Sequence, residues 1–260
     1  MDRVRETTRR GLSHEDVLSL VKKEILAIHI KGFCRDESLA TARKELLDHE
    51  DRGALSQAHE FGRIGFAYSE ISDEETRRTY HEQALPNIAK LREVFAPHPS
   101  PTDELRLLLD ELWPAGAHLM EVDGKKCFIG ICRYQDRNVD LNPHTDALER
   151  NLPARYQGQL QAQLSVNIYV NIPEQGGELE LWDIEPSEGD YQGLMGERAY
   201  GIERDKLPAP TAVVKPAAGD LMLLNPRVIH AVRPSQDSSR VTLGHFLGFM
   251  GSDRPLVFWS

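Results

Sequence analysis

Cysteine is scarce in this sequence. Cys34, Cys127 and Cys132 are an odd set of three with no CxxC spacing, which argues against a disulfide framework or a cysteine-based zinc site and for reduced thiols. Long apolar runs are missing too: none approaches the roughly 20 residues needed to cross a bilayer. The N-terminal stretch MDRVRETTRR carries charge with no apolar segment after it, unlike a secretory signal. There is no block rich in lysine and arginine, and the formal net charge is −10 with a sequence pI near 5.5. That balance disfavours nucleic acid and anionic membrane surfaces as partners. The expectation is a soluble, acidic, cytoplasmic protein without nucleic-acid or membrane partners, and a homodimer is compatible with the sequence.

With 40% of its 260 residues apolar, the chain can build one generous core. Ser13-His14-Glu15-Asp16 has the form of a helix start, with Ser13 as cap and the acids favoured by the positive helix end. Residues 36–49 predict a helix with Leu39, Ala42, Leu46 and Leu47 on one face. Residues 73–95 predict a longer one, and residues 102–113 a third that restarts after Pro97, Pro99 and Pro101 with Thr102 as cap. Residues 25–33 alternate as a strand, and 61–69 read as a strand or a loop near a pocket.

Beyond residue 116 the character changes. Residues 117–122 and 126–134 are strand-like runs joined by the turn pair Asp123-Gly124. Residues 161–171 alternate, with Gln161, Gln163, Ser165, Asn167, Tyr169 and Asn171 on one face and Ala162, Leu164, Val166, Ile168 and Val170 on the other. Short strands follow at 178–182, 213–214, 220–225, 228–232 and 241–249. The expected fold class is α+β with a mainly β core, a small barrel or jelly roll with N-terminal helices packed outside. One domain is expected over 1–260: residues 1–115 give mainly helical support, and 116–260 give the β core with a Gly- and Pro-punctuated insertion at 186–211. A polar strand face inside such a core implies a cavity.

The chemistry of that cavity centres on Asn142-Pro143-His144-Thr145-Asp146. A His-x-Asp pair at a strand end can grip one metal ion, although alone it is a weak signal. His230, just after the apolar run LMLLN, sits where it can complete a three-point face. Two histidines and one carboxylate leave the other half of an Fe(II) octahedron open for a cosubstrate and O₂. Arg240 lies ten residues past His230 and shares a strand face with Thr242. An inward-facing arginine needs an anion, because an unpaired buried charge costs several kcal/mol. A guanidinium fork beside a hydroxyl suits a carboxylate. A dicarboxylate that chelates Fe(II) through a 2-oxo acid and meets Arg240 at its far end is 2-oxoglutarate. An internal Asp or Glu is the competing partner for Arg240.

The order His144-x-Asp146, His230, Arg240-x-Thr242 on strands that follow helices resembles the Fe(II)/2-oxoglutarate-dependent oxygenases. The segments LPNIAKLREVFAPH, RLLLDELWPAGAH, QLSVNIYVNIPEQGGELELW, AGDLMLLNPRVIHAV and RVTLGHFLGF are similar to the bacterial branch that hydroxylates free and N-succinyl amino acids, to which carrier-independent halogenases are related. The resemblance implies a double-stranded β-helix (a cupin-like jelly roll), with His144, Asp146 and His230 as catalytic metal ligands and Arg240 and Thr242 as cosubstrate residues. The cofactors it implies are Fe(II), 2-oxoglutarate and O₂, and the substrate a small molecule, an amino acid or a derivative of one. In the halogenating relatives a small residue replaces the carboxylate ligand. Because Asp146 is present, hydroxylation is expected over halogenation, while desaturation or cyclisation uses the same oxidising chemistry.

Asn167 and Tyr134 are further candidates for the cosubstrate, with a satisfied polar network in the wall as the alternative. Arg133, alternating with Tyr134, is expected to face the other way. Arg155, Arg63, Phe66 and Tyr169 are the substrate candidates, against solvated loop charge and ordinary core. The insertion 186–211 falls where a lid would be placed, or is a plain connection. His29, His49 and His245 read as structural, and Cys127 and Cys132 as packing. Two other classes compete. A zinc hydrolase would give Arg240 no task, and a non-catalytic cupin-like binding module would leave the arginine spacing unexplained.

Overall fold

The alternating stretch around Asn167 becomes the middle of the molecule. In the computed structural model, which describes residues 3–47, 53–54, 61–152 and 158–260, the elements run β1 (Val4–Thr7), α1 (His14–Val21), β2 (Ala27–Ile30), α2 (Asp36–Leu46), β3 (Gly53–Ala54), β4 (Phe61–Ile64), α3 (Glu74–Phe95) and α4 (Pro101–Leu112). They continue as β5 (Ala117–Leu119), β6 (Glu121–Val122), β7 (Lys125–Lys126), β8 (Ile131–Gln135), β9 (Leu141–His144), β10 (Ala162–Asn171), β11 (Leu179–Leu181), α5 (Glu188–Met195), β12 (Ala212–Val214), β13 (Leu221–Leu224), β14 (His230–Val232), β15 (Arg240–Phe249) and β16 (Leu256–Trp259). No helix among the described residues is long and apolar enough to cross a membrane.

Among those residues a ten-stranded sheet follows the order β1-β2-β13-β10-β15-β8-β4-β3, with β16 sharing an edge of β15 with β8 and pairing in turn with β5. A four-stranded sheet has the order β12-β11-β14-β9. The architecture is therefore mixed α and β with a large β content. The two faces of β10 explain the layering. Leu164, Val166 and Ile168 join Leu221, Leu223, Val241, Leu243 and Leu247 in a core shared with Val17, Leu20, Tyr80, Ile88, Leu105 and Leu109 of the helices. Each such side chain contributes roughly 1.5–3 kcal/mol when fully buried. On the opposite face Tyr169, Met222 and Leu224 meet Leu179, Leu181 and Val232 of the small sheet and Val228 in the turn before β14. The insertion covers the far side of that sheet, where Tyr191 and Ile202 pack on Trp182, Ile229 and Ala231. It is an anchored layer, not a loose connection.

Local chemistry sets the helix starts. The Ser13 hydroxyl accepts from the Asp16 amide while the Asp16 carboxylate accepts from the Ser13 amide, a reciprocal cap, and Asp73 caps α3 through the Thr76 amide. Tyr80, Ala84, Ile88, Leu91 and Phe95 form the buried stripe of α3. The start of α4 differs from expectation: Ser100 is the cap position, Pro101 occupies the first turn, and Thr102 lies inside the helix. The Asp123-Gly124 turn forms with both residues at positive φ, but it joins only β6 and β7, and residues 127–130 are not strand. The N-terminal part gives strands as well as helices, since β1, β2 and β4 all extend the large sheet.

His245 lies on the helix-facing side of β15, 1% exposed, and neither ring nitrogen has a hydrogen-bond partner. Burial, with the nearby charges of Arg106 and Arg133, pushes its pKa down to about 3. Unfolded, the imidazole takes a proton below about 6.5, while in the folded chain it stays neutral, so folding stability falls as pH drops from about 6.5 toward 3. The slope from this one group reaches about 1.4 kcal/mol per pH unit. His245→Leu is expected to remove that component and to be more stable than the parent at pH 5. Urea unfolding of both proteins at pH 7 and pH 5 checks this, and an unchanged difference between the two pH values would refute it.

Candidate active site

His144 ends β9 and His230 begins β14, and the two residues are direct cross-strand partners. Their side chains therefore leave the same face of the small sheet, with ring centroids 4.2 Å apart. His144 Nδ1 lies 2.8 Å from the Asn142 carbonyl oxygen and His230 Nδ1 lies 3.1 Å from that of Val228. A carbonyl oxygen only accepts, so both Nδ1 atoms carry the proton and both Nε2 lone pairs are free, as metal-binding histidines require. Asp146 is fixed by its amide, which donates to the Pro226 carbonyl at 2.8 Å. Its carboxylate oxygens stand 3.9 Å from His144 Nε2 and 3.7 Å from His230 Nε2.

One ligand atom from each residue falls within 4.8 Å of the others, so a single ion can touch all three. Burial, helped by His230, pushes the His144 pKa down to about 4, which keeps the ring neutral and ready to ligate near pH 7. Burial pushes the Asp146 carboxyl up, but His144, His230 and Arg133 outweigh it and hold the group well below the usual carboxylate range. The donor set is two nitrogens and one oxygen, which suits Fe(II) with open positions.

The triad opens on a cavity of about 400 Å³. Arg240 lines it, with its guanidinium 5.1 Å from the Tyr169 ring centroid. Tyr169 and Thr242 lie beneath, both 1% exposed. They are cross-strand partners on β10 and β15. Arg240 Nε, Thr242 Oγ1 and the Tyr169 hydroxyl are all buried without a hydrogen-bond partner. Native structures leave few such groups unsatisfied, and three at one spot mark the place of a polar ligand. No Asp or Glu among the described residues fills it.

The insertion forms the rim. Tyr191, Gln192, Met195, Ala199 and Tyr200 face the cavity, and the Tyr200 ring sits 5.3 Å from that of His144. Gly201 approaches β9 so closely that a Cβ there would lie 2.6 Å from that of Asn142, and it does so at φ +70. Next to it the Ile202 amide donates to the Pro143 carbonyl at 2.7 Å. Buried Glu180 ties the insertion's other end down by accepting from Arg204 at 2.5 Å and from Arg233 at 2.7 Å, and Arg204 also reaches Asp140 just before β9. Arg150 clamps α5 to the metal loop: it donates to the Thr145 carbonyl at 2.6 Å and to Glu188 at 2.9 Å and lies over the Tyr191 ring.

Several expected residues stand elsewhere. The Tyr134 hydroxyl donates to the Leu46 carbonyl at 2.5 Å, although the residue borders the cavity. Arg133, expected to face away, is the cross-strand partner of Thr242 and faces the cavity. Asn167 donates to Ser165 Oγ at 3.2 Å. Arg63 is paired with the buried Glu70 at 2.9 Å and stacks near Phe66, and neither lines the cavity. Arg155 and His49 lie outside the described residues. His29 is buried, with Nε2 2.7 Å from Asp220, whose carboxylate also accepts the amides of Gly32 and Ala217. Sequence reasoning missed Gln163, which accepts the Leu148 amide at the cavity wall, although its place on the polar face of β10 was the available signal.

The profile of a family described as carrier-protein-independent halogenase WelO5 matches residues 7–260. The chain is 26% identical over 151 residues to an L-isoleucine 3(1)-dioxygenase of Pantoea ananatis, covering 53% of this chain and 48% of that one. It is 28% identical over 165 residues to an L-gamma-glutamyl-L-propargylglycine hydroxylase of Streptantibioticus cattleyicolor, covering 61% and 59%. The match thus spans only about half to three-fifths of these relatives. Among solved structures, an N-substituted L-amino acid dioxygenase from Burkholderia ambifaria shares the fold with a TM-score of 0.67 at 16% identity, covering 95% of this chain and 91% of that one. HygX from Streptomyces hygroscopicus, solved with nickel and 2-oxoglutarate bound, gives a TM-score of 0.54 at 15% identity, covering 92% and 87%.

Proposed function

The chain belongs to the WelO5 family of carrier-protein-independent halogenases, and from that membership, together with the carboxylate retained at Asp146, we propose that it is an Fe(II)- and 2-oxoglutarate-dependent dioxygenase that hydroxylates a C–H bond of a free amino acid or a small amino-acid derivative. The observation that carries this reading is the pairing of two features in one cavity. His144, Asp146 and His230 form a three-point metal face, and Arg240, Thr242 and Tyr169 leave buried polar atoms without partners beside it. Those atoms are a guanidinium and two hydroxyls, the groups a carboxylate needs. Bound iron supplies the oxidative decarboxylation of 2-oxoglutarate to succinate and CO₂ that drives C–H oxidation. His144 and His230 keep Nε2 free by donating through Nδ1, and Asp146 adds the anionic ligand. Arg240 orients the far carboxylate of the cosubstrate, and the rim from Tyr191 to Tyr200 limits water.

Asp146 favours hydroxyl transfer over halide transfer, because it fills the position that halogenating relatives leave to a small residue. The names of the similar dioxygenases and hydroxylases support an amino-acid-like substrate. We read the two facing sheets as the halves of a double-stranded β-helix, or jelly roll, within a single domain over 1–260, and the insertion 186–211 as its lid. The deciding experiment incubates the protein with Fe(II), 2-oxoglutarate and a panel of free and N-acyl amino acids. Succinate release that requires iron, cosubstrate and O₂, coupled to a product heavier by one oxygen atom, is the expected result. Turnover that proceeds without O₂ on added zinc would refute the reading.

A further inference from the structure

Three arginines line the cavity and a fourth, Arg63, is the cross-strand neighbour of one of them, and their partners differ. Arg63 is neutralised by Glu70, and Arg150 by Glu188. Arg240 and Arg133 have no ion pair among the described residues, and Arg240 Nε is buried without a hydrogen-bond partner. Arg133 projects from β8 between Arg63 on β4 and Thr242 on β15. Its guanidinium lies over Gly244, where a Cβ would come within 2.8 Å of Arg133 Nη1 and 3.8 Å of the Asn167 side-chain oxygen. Only a residue without a side chain leaves that room. Burial lowers the Arg133 pKa, yet an arginine stays charged. Asp146, the only Asp or Glu lining the cavity among the described residues, is committed to the metal face.

We propose that Arg133 is a second carboxylate anchor of this cavity, and that the carboxylate it takes belongs to the molecule being oxidised. The inference rests on the function proposed above and deepens it. A divalent metal, one carboxylate ligand and two unpaired arginines give the cavity three positive charges. A 2-oxo dicarboxylate neutralises two of them, and the remaining charge calls for a monoanion. An N-acyl amino acid is such a monoanion, a free amino acid offers Arg133 the same carboxylate beside its own ammonium, and the primary amide of either offers no carboxylate.

The test uses anaerobic protein loaded with Fe(II), so that no turnover is needed, and compares wild type with Arg133→Met and Gly244→Ala. The probes are 2-oxoglutarate, then, in its presence, L-isoleucine and N-acetyl-L-isoleucine with their primary amides, read by calorimetry and by melting temperature. At least one carboxylate is expected to bind wild type in preference to its amide. Arg133→Met should weaken it about a hundredfold, and Gly244→Ala, which displaces the guanidinium without removing its charge, by a smaller factor. The 2-oxoglutarate affinity should stay within about twofold in both variants, since Arg240 still holds it. Arg133→Met should also melt no lower than wild type, because it removes an unpaired buried charge. The proposal is overturned if Arg133→Met melts lower, if only 2-oxoglutarate binding weakens, or if wild type prefers no carboxylate to its amide. Failure of 2-oxoglutarate to bind wild type would instead count against the function proposed above.

Discussion

Asp146→Ala is expected to abolish 2-oxoglutarate-coupled turnover and to lower metal affinity by at least about a hundredfold, beyond the 10–100-fold typical of losing an outer-shell partner. The reason is electrostatic as much as geometric. Among the described residues, Asp146 is the single carboxylate facing a cavity that also holds Arg133 and Arg240 without ion partners. Remove it, and two imidazoles must hold a dication next to two uncompensated cations. Glutamate at the same position keeps the charge but moves the oxygens by a methylene, and it is expected to recover metal binding further than turnover. Glycine vacates the position as in the halogenating relatives. Metal binding by Asp146→Gly is then expected to depend on chloride, drawn by the same positive field, while binding by wild type is not. Calorimetric titration with metal, with chloride and with a non-coordinating counter-ion, checks these expectations. A variant that keeps full iron-dependent succinate formation would remove Asp146 from the ligand set.

The residues that made the site legible in the sequence are those whose neighbours fix their side. Arg240 and Thr242 share a face because they are two apart in one regular strand, and β10 announces its polar side through ten alternating residues. Asp146 and His144 were readable as a pair because a two-residue spacing at a strand end brings them together whatever the exact turn. Arg133 was assigned to the wrong side for a physical reason. β8 follows the irregular stretch 127–130, which contains Gly130 at φ +93, so nothing local tells which face the strand presents. The register against β15 decides it by setting Arg133 opposite Thr242 and Tyr134 opposite Val241. Cys132 and Tyr134 then fall on the core side, where the Tyr134 hydroxyl finds Leu46. Long-range pairing of this kind also hid β1 and β16, whose short sequences carry little pattern of their own.

Arg240→Met is expected to raise the KM for 2-oxoglutarate by about a hundredfold or more, the order of effect seen when one partner of a buried charge pair is lost. The split between parameters follows from which end of the cosubstrate Arg240 holds. The far carboxylate does not react, so its binding is shared by ground and transition states, and KM should rise more than kcat falls. Arg240→Lys keeps the charge but loses the planar fork and is expected to fall between the two. Thr242→Val and Tyr169→Phe each remove one hydroxyl, and roughly tenfold effects are expected. Stability should move in the opposite direction. In the protein without cosubstrate, Arg240 Nε, Thr242 Oγ1 and the Tyr169 hydroxyl are buried and unpaired, so replacing any of them by an apolar group should leave the melting temperature unchanged or raise it. Cosubstrate at a hundred times its Kd stabilises the wild type by about 2.7 kcal/mol, several degrees for a chain of this length, and Arg240→Met should lose that rise. Melting curves with and without 2-oxoglutarate and metal read both effects. A variant that melts lower without the cosubstrate yet keeps the cosubstrate-induced rise would show that Arg240 serves the fold and not the ligand.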